Sequence, residues 1–246
     1  MSEQFELLQR LDQRAFADTK VNPISHVQMQ RGTSRVLDHA NWADEDALRL
    51  VQQIFIVPTP PQIVVFSGID HGNGCTGLCA SVAETLARNT RRPVCLVDAN
   101  FRSPGLSDLM GTTDLVGLTD ALLHKGQIES FAKPFRQDNL WLLQSGSISP
   151  DSPSLLSSAN LHDRMTELRE AFDFVILDAP PLNLYSDAIA IGQASDGLVM
   201  ILEAESTRRE SASAVATSLR SVRVPILAAV LNKRRFPIPK AIYTRI

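Results

Sequence analysis

The segment Ser67-Gly68-Ile69-Asp70-His71-Gly72-Asn73-Gly74-Cys75-Thr76 follows the apolar run Ile63-Val64-Val65-Phe66 and precedes a helix-forming run over 78–87. A glycine-rich turn in that position lets backbone N–H groups point into a concavity, to which the next helix adds its own N-terminal N–H groups and dipole. Such a cradle suits an anionic phosphate. A lysine after the last glycine normally reaches the outer phosphates, and the Ser/Thr beside it meets Mg²⁺. Here Cys75 stands at the lysine position, and Thr76 remains. The strict pattern therefore fails, and an ordinary strand-turn-helix corner is the competing reading. A thiol at the N-terminus of a helix is expected to have a lowered pKa. Cys75 is thus expected to alkylate faster than Cys79 or Cys95, unless it is only a small residue tolerated by the loop.

Two carboxylates strengthen the phosphate reading. Asp98 follows Val94-Cys95-Leu96-Val97, and Asp178 follows Phe174-Val175-Ile176-Leu177, with Asp187 beyond it. Two strand-end carboxylates beside a glycine-rich loop can hold a metal and a phosphate chain. The plainer alternative makes each aspartate a cap or a turn starter. A third strand end carries Asn232-Lys233-Arg234-Arg235.

The elements that must position these groups are set by periodicity. Runs over 63–66, 94–97, 140–143, 174–177, 198–202 and 226–231 are apolar at almost every position, as strands covered on both faces are. They alternate with helical patterns, which predicts an α/β domain with a mostly parallel sheet flanked by helices. Ligands sit at the carboxyl ends of such strands. Leu161, Met165, Leu168 and Phe172 mark one helix. Thr207-Arg208-Arg209-Glu210 reads as a capping box ahead of another, with Ala212, Val215, Ala216 and Leu219 on its apolar face. Residues 1–60 read as an N-terminal helical extension and linker, and 61–246 as the main domain. In the extension, Phe5, Leu8, Leu11, Ala15 and Phe16 suggest one helix and 44–55 a second. Both are expected to pack on the domain, or the first to dock on a partner.

The 246 residues carry a formal charge of −3, with 44% hydrophobic and 21% charged residues. That balance fits a globular protein and argues against nucleic-acid binding. No apolar run approaches a membrane span, and Met-Ser-Glu-Gln does not open a signal peptide, so a cytoplasmic location is expected. Cys75, Cys79 and Cys95 form no CxxC pair, which argues against a disulfide framework or a zinc site.

From about Gln62 to Asn232 the chain resembles the bacterial tyrosine kinases of capsule and exopolysaccharide synthesis, within the MinD/ParA group of P-loop ATPases. Val94 through Pro104, with Asp98-Ala99-Asn100-Phe101-Arg102-Ser103-Pro104, is similar to the family's second Walker motif. Phe172 through Pro181, followed by Asp187-Ala188, is similar to its Walker B region. Gly117-Leu118-Thr119-Asp120-Ala121-Leu122 and the run from Gly146 to Ser157 resemble its connecting segments. The resemblance implies a three-layer P-loop NTPase-type fold that takes ATP or ADP with Mg²⁺. Gly72, Asn73, Gly74, Cys75 and Thr76 would hold phosphate, Thr76 and Asp178 the metal, Asn232 the adenine, and Asp98 would orient an incoming tyrosine hydroxyl. Implied partners are the nucleotide, a membrane polysaccharide co-polymerase or chain-length regulator, and further copies of the chain. The partner would bring the protein to the membrane.

Four departures shape the expected activity. Cys75 replaces the lysine, and Asn100 stands where a second aspartate is usual. Glu45, Arg49 and Gln52 only partly resemble the E-x-x-R-x-x-R assembly segment, and Tyr243 stands alone where the family has a tyrosine-rich tail. The expectation is nucleotide binding with weak or absent tyrosine phosphotransfer. Alternatives are an active kinase or ATPase using another cation (Arg102, Arg208 or Arg209), and a nucleotide-independent adaptor. Lys233, Arg234, Arg235, Lys240 and Arg245 could meet an acidic partner.

Overall fold

A computed structural model describes residues 40–112, 116–156 and 158–233. Among these residues seven strands form one sheet: β1 (Ile63–Gly68), β2 (Val94–Asp98), β3 (Lys133–Phe135), β4 (Gln137–Leu143), β5 (Phe174–Ala179), β6 (Gly197–Glu203) and β7 (Ile226–Asn232). Their spatial order is β3-β4-β2-β5-β1-β6-β7, and all neighbours run parallel except β3 against β4. The helices are α1 (Ala40–Ile54), α2 (Cys75–Thr90), α3 (Leu106–Met110), α4 (Leu118–Leu123), α5 (Ser152–Leu155), α6 (Ala159–Ala171), α7 (Asp187–Gln193) and α8 (Arg209–Ser221).

Alternation along the strands divides the core into two layers. Val64, Phe66, Leu96 and Ile176 face α1 and α2, meeting Leu50, Val51, Leu78, Val82 and Leu86. Ile63, Val65, Val97 and Leu177 face the other side, meeting Leu118, Met165, Leu168, Ile191 and Leu219 from α4, α6, α7 and α8. The three-layer expectation is met. All six expected strands form, and β3 is the addition: three residues around Pro134 at the sheet edge carry no period that a sequence reading could detect.

The second expected helix packs on the domain. Phe55 at its end is buried and meets Phe174 edge to face at 5.6 Å. The first, on Phe5 to Phe16, lies outside the described residues, as do Arg234, Arg235, Lys240, Tyr243 and Arg245. The capping box at Thr207 does not form. The Thr207 hydroxyl instead accepts the Glu203 N–H at 2.8 Å, so it ties the end of β6 rather than the start of α8, whose N-cap is Arg208.

The strand order sets the carboxyl end of β1 between those of β5 and β6. Register then aligns Asp98 of β2 with Asp178 of β5, and Phe66 of β1 with the same Asp178. The strand-end acids therefore converge beside the turn that leaves β1. Among the described residues no helix is long and apolar enough to cross a membrane.

Candidate phosphate and metal site

The turn after β1 takes the shape its glycines permit. Gly72 and Gly74 adopt left-handed backbone angles (φ 79° and 82°), which side-chain-bearing residues adopt only at a cost. A Cβ on Gly74 would lie 2.5 Å from Asn232 Nδ2, so contact as well as conformation favours glycine there. Inside the turn the Asp70 N–H donates to Asn73 Oδ1 at 2.7 Å. The buried Asn73 side chain also donates to Glu203 Oε2 at 3.3 Å.

Asn232, at the end of β7, braces the turn from two strands away, across β6. Its Nδ2 donates to the Asn73 carbonyl at 2.7 Å, and its Oδ1 accepts the Lys233 N–H at 2.9 Å. Lys233 Nζ in turn meets Glu203 Oε1 at 2.9 Å. The family resemblance assigns Asn232 to an adenine ring; here its bonds shape the loop. A cleft of about 670 Å³ opens over the turn, lined among others by Gly72, Asn73, Gly74, Cys75, Thr76 and Asn232. All of the residues expected to cradle phosphate thus lie at one cleft.

Beneath it, the Thr76 hydroxyl donates to Asp178 Oδ2 at 2.6 Å, joining the first turn of α2 to the end of β5. Burial raises the Asp178 carboxyl to about 6, against the hydrogen bonds from Thr76, Cys75 and Cys79 that favour its charged form. Asp98 is fully buried beside it. It accepts the N–H groups of Asn100 (3.1 Å), Gly105 (3.3 Å) and Leu106 (3.2 Å), closing the turn that leads into α3. Burial and the neighbouring Asp178 push Asp98 up to about 7 in spite of those amides. Asp98 therefore stands behind the cleft wall, with both oxygens engaged.

Cys75 departs from its expected chemistry. Its Sγ lies 3.9 Å from Cys79 Sγ, one helical turn on. The Cys79 hydrogen bond favours the thiolate, but burial of the sulfur and the Asp178 carboxylate prevail and push the thiol up to about 11. The expected lowering is overturned because the sulfur is buried at the helix start and, second, faces the Asp178 carboxylate. Partial exposure still distinguishes Cys75 from Cys79 and Cys95, which are fully buried.

The cations nominated as substitutes for the lysine are placed elsewhere. Arg102 pairs with Asp187 at 2.8 Å and lies over the Tyr185 ring at 4.7 Å. Arg208 and Arg209 are exposed and outside the cleft lining. Among the described residues, Lys233 and Arg136 are the cations that line it. Arg136 pairs with Glu84 at 2.8 Å. Lys233 could have been singled out because it follows Asn232 directly at a strand's carboxyl end. Nothing around Arg136, on a short edge hairpin, pointed to the cleft. Asn100 serves the turn, its Oδ1 accepting the Ser103 N–H at 3.1 Å. Glu45, Arg49 and Gln52 are exposed along α1.

Known proteins share this fold. The chain is 30% identical over 172 residues to the tyrosine-protein kinase YwqD of Bacillus subtilis (strain 168), covering 70% of this chain and 72% of that protein. The solved structure of the chimerical protein CapA2B2 aligns with a TM-score of 0.79 at 20% identity, over 93% of this chain and 100% of the other. The septum site-determining protein MinD of Pyrococcus horikoshii OT3, solved with Mg-ADP, aligns with a TM-score of 0.60 at 20% identity, over 74% and 76%. No family model matches the chain.

Proposed function

The chain belongs to the bacterial tyrosine-protein kinase family, and we propose that it is a nucleotide-binding member with weak or absent phosphotransfer that regulates polysaccharide assembly. The observation that carries this reading is the Thr76–Asp178 hydrogen bond under a glycine loop at the mouth of a cleft. The loop leaves no room for a side chain at Gly74, and a glycine turn ahead of a helix would offer backbone N–H groups to a phosphate chain. Thr76 and Asp178 present hard oxygen ligands, which suit Mg²⁺. The residues present therefore fit a magnesium nucleotide, which would supply the phosphoryl group and neutralise part of its charge.

Cys75 is the reason for weak transfer. The lysine it replaces would offset charge developing on the transferring group, and losing one such partner costs on the order of 10²–10³ in rate. Asp98 orients an incoming hydroxyl only if the turn over 98–106 opens, since three amides now occupy its carboxylate. One observation favours a second reading, an active phosphotransferase: Lys233 lines the cleft and could turn from Glu203 to a phosphate. In either case the protein acts on exopolysaccharide or capsule synthesis beside a membrane co-polymerase or chain-length regulator.

Calorimetric titration with Mg-ADP and Mg-ATP tests the first step. Saturable binding that weakens on chelation of Mg²⁺ is expected. Absence of binding to either nucleotide overturns the reading and favours a nucleotide-independent adaptor.

A further inference from the structure

The replacement of the loop lysine by Cys75 creates a second kind of donor set at the base of the cleft. Cys75 and Cys79 are four residues apart, so on α2 they share one face. Their sulfurs lie 3.9 Å apart, and Cys79 Sγ lies 3.8 Å from Asp178 Oδ1. The three ligand atoms all fall within 4.8 Å of one another. Tetrahedral zinc with Zn–S bonds of ~2.3 Å holds its sulfur ligands about 3.8 Å apart. The side chains therefore already stand close to the spacing that such an ion requires.

We propose that Cys75, Cys79 and Asp178 form a site for a thiophilic divalent cation such as Zn²⁺, open to the cleft beside Cys75. Two sulfurs and one carboxylate are a donor set that zinc accepts and Mg²⁺ does not, because Mg²⁺ takes oxygen ligands in an octahedral arrangement. Asp178 uses its two oxygens differently: Oδ2 is bonded to Thr76, while Oδ1 faces Cys79. The carboxylate is thus shared between a hard site on the threonine side and a soft site on the thiol side. Partly exposed Cys75 lines the cleft and gives an ion its way in, with a water or a ligand oxygen completing the fourth position. Binding exchanges two thiol protons for one dication, so the net charge of the site is unchanged. The ion therefore does not restore the charge of the missing lysine; it shares the Asp178 carboxylate with the threonine side of the site. The CxxC criterion missed the site because four-residue spacing joins two cysteines only once they lie on a helix.

Titration of the full reduced chain with Co²⁺, without nucleotide, reads the site directly through its thiolate-to-cobalt charge-transfer absorbance. A band saturating at one equivalent and displaced by Zn²⁺ but not by Mg²⁺ is expected. Cys75→Ser and Cys79→Ser should each weaken Co²⁺ at least tenfold, Asp178→Asn should weaken it while retaining the band, and Cys95→Ser should leave it unchanged. Cys79 is buried, so the partly exposed Cys75 supplies the variant that keeps its fold, checked by circular dichroism. Absence of the band, its survival at full affinity in Cys75→Ser, or its equal loss in Cys95→Ser overturns the proposal. Because nucleotide is omitted, any of these results leaves the magnesium-nucleotide reading standing.

Discussion

Asn232 Nδ2 donates to the carbonyl of Asn73 at 2.7 Å, so the last described strand holds the first strand's loop across 159 positions of sequence. Both groups are buried, and a buried polar group left without its partner costs about 1–3 kcal/mol. Asn232→Ala should lower unfolding stability by that amount and weaken Mg-ADP binding, because the loop loses the brace that sets its curvature. Gly74→Ala should weaken Mg-ADP at least as much, since its Cβ would meet Asn232 Nδ2 at 2.5 Å and its φ is 82°. Urea unfolding together with calorimetry checks both. Unchanged affinity in the two variants would separate the loop from the nucleotide.

The Thr76–Asp178 bond predicts where magnesium dependence resides. Asp178→Asn removes the carboxylate charge and should abolish most of the difference in nucleotide affinity between Mg²⁺ and chelator. Cys75→Lys should act in the opposite direction. A charge-assisted hydrogen bond contributes about 1.5–3 kcal/mol, so ADP should bind roughly 10- to 100-fold more tightly. Isothermal titration of the two variants decides the point. Equal affinities for Cys75→Lys and the unaltered chain would show that position 75 does not face the phosphates.

Phosphotransfer should be low for a related reason. Incubated with Mg-ATP, the unaltered chain should show little phosphotyrosine by immunoblot, and Cys75→Lys should show more. Strong labelling without the substitution would favour the active reading; Lys233→Ala should then reduce it, since Lys233 is a cation lining the cleft. Asp98→Asn should abolish any labelling that remains if that carboxylate orients the hydroxyl.

Much of this site is legible in the sequence because its backbone logic is local. A run apolar at every position marks a doubly covered strand, and the polar residues at its end must lie at the sheet's carboxyl edge. Glycines 72 and 74 with Thr76, Asp98 and Asp178 are found in that way. The features that escape a sequence reading depend on tertiary direction. Periodicity does not state that Cys75 turns its sulfur toward Asp178, that Thr207 binds back to Glu203, or that Asn232 bonds the Asn73 carbonyl. Lys233 reads in sequence as part of a basic tail, whereas a left-handed residue at φ 57° carries it back over the loop to Glu203. The helix-dipole argument for Cys75 fails because it weighs the dipole without the burial of the sulfur and the carboxylate it faces.

Away from the cleft, Asp196 ties three elements together at the opposite end of the sheet. Its Oδ2 accepts the N–H groups of Gln62 and Ile63 at 2.8 Å each, and Arg169 from α6 grips both of its oxygens at 2.9 and 2.8 Å. Burial alone would raise this carboxyl, but the Arg169 guanidinium and the two amides prevail and hold it below the usual aspartate range. A depressed native pKa means that the folded chain binds the proton less readily than the unfolded one. The resulting stability is fully present above the unfolded value of about 4 and is lost as pH falls through the native value. Asp196→Asn should therefore cost about 1–2 kcal/mol at pH 7, a range discounted because the pair is partly exposed to solvent. The deficit should begin to shrink as pH falls below about 4, where the unfolded chain takes up the proton, and vanish once pH passes the depressed native value and the folded chain has lost the same charge. Urea unfolding of the two chains at several pH values between neutrality and acid measures it. A deficit that stays constant over that range would assign the effect to the side chain's shape rather than to its charge.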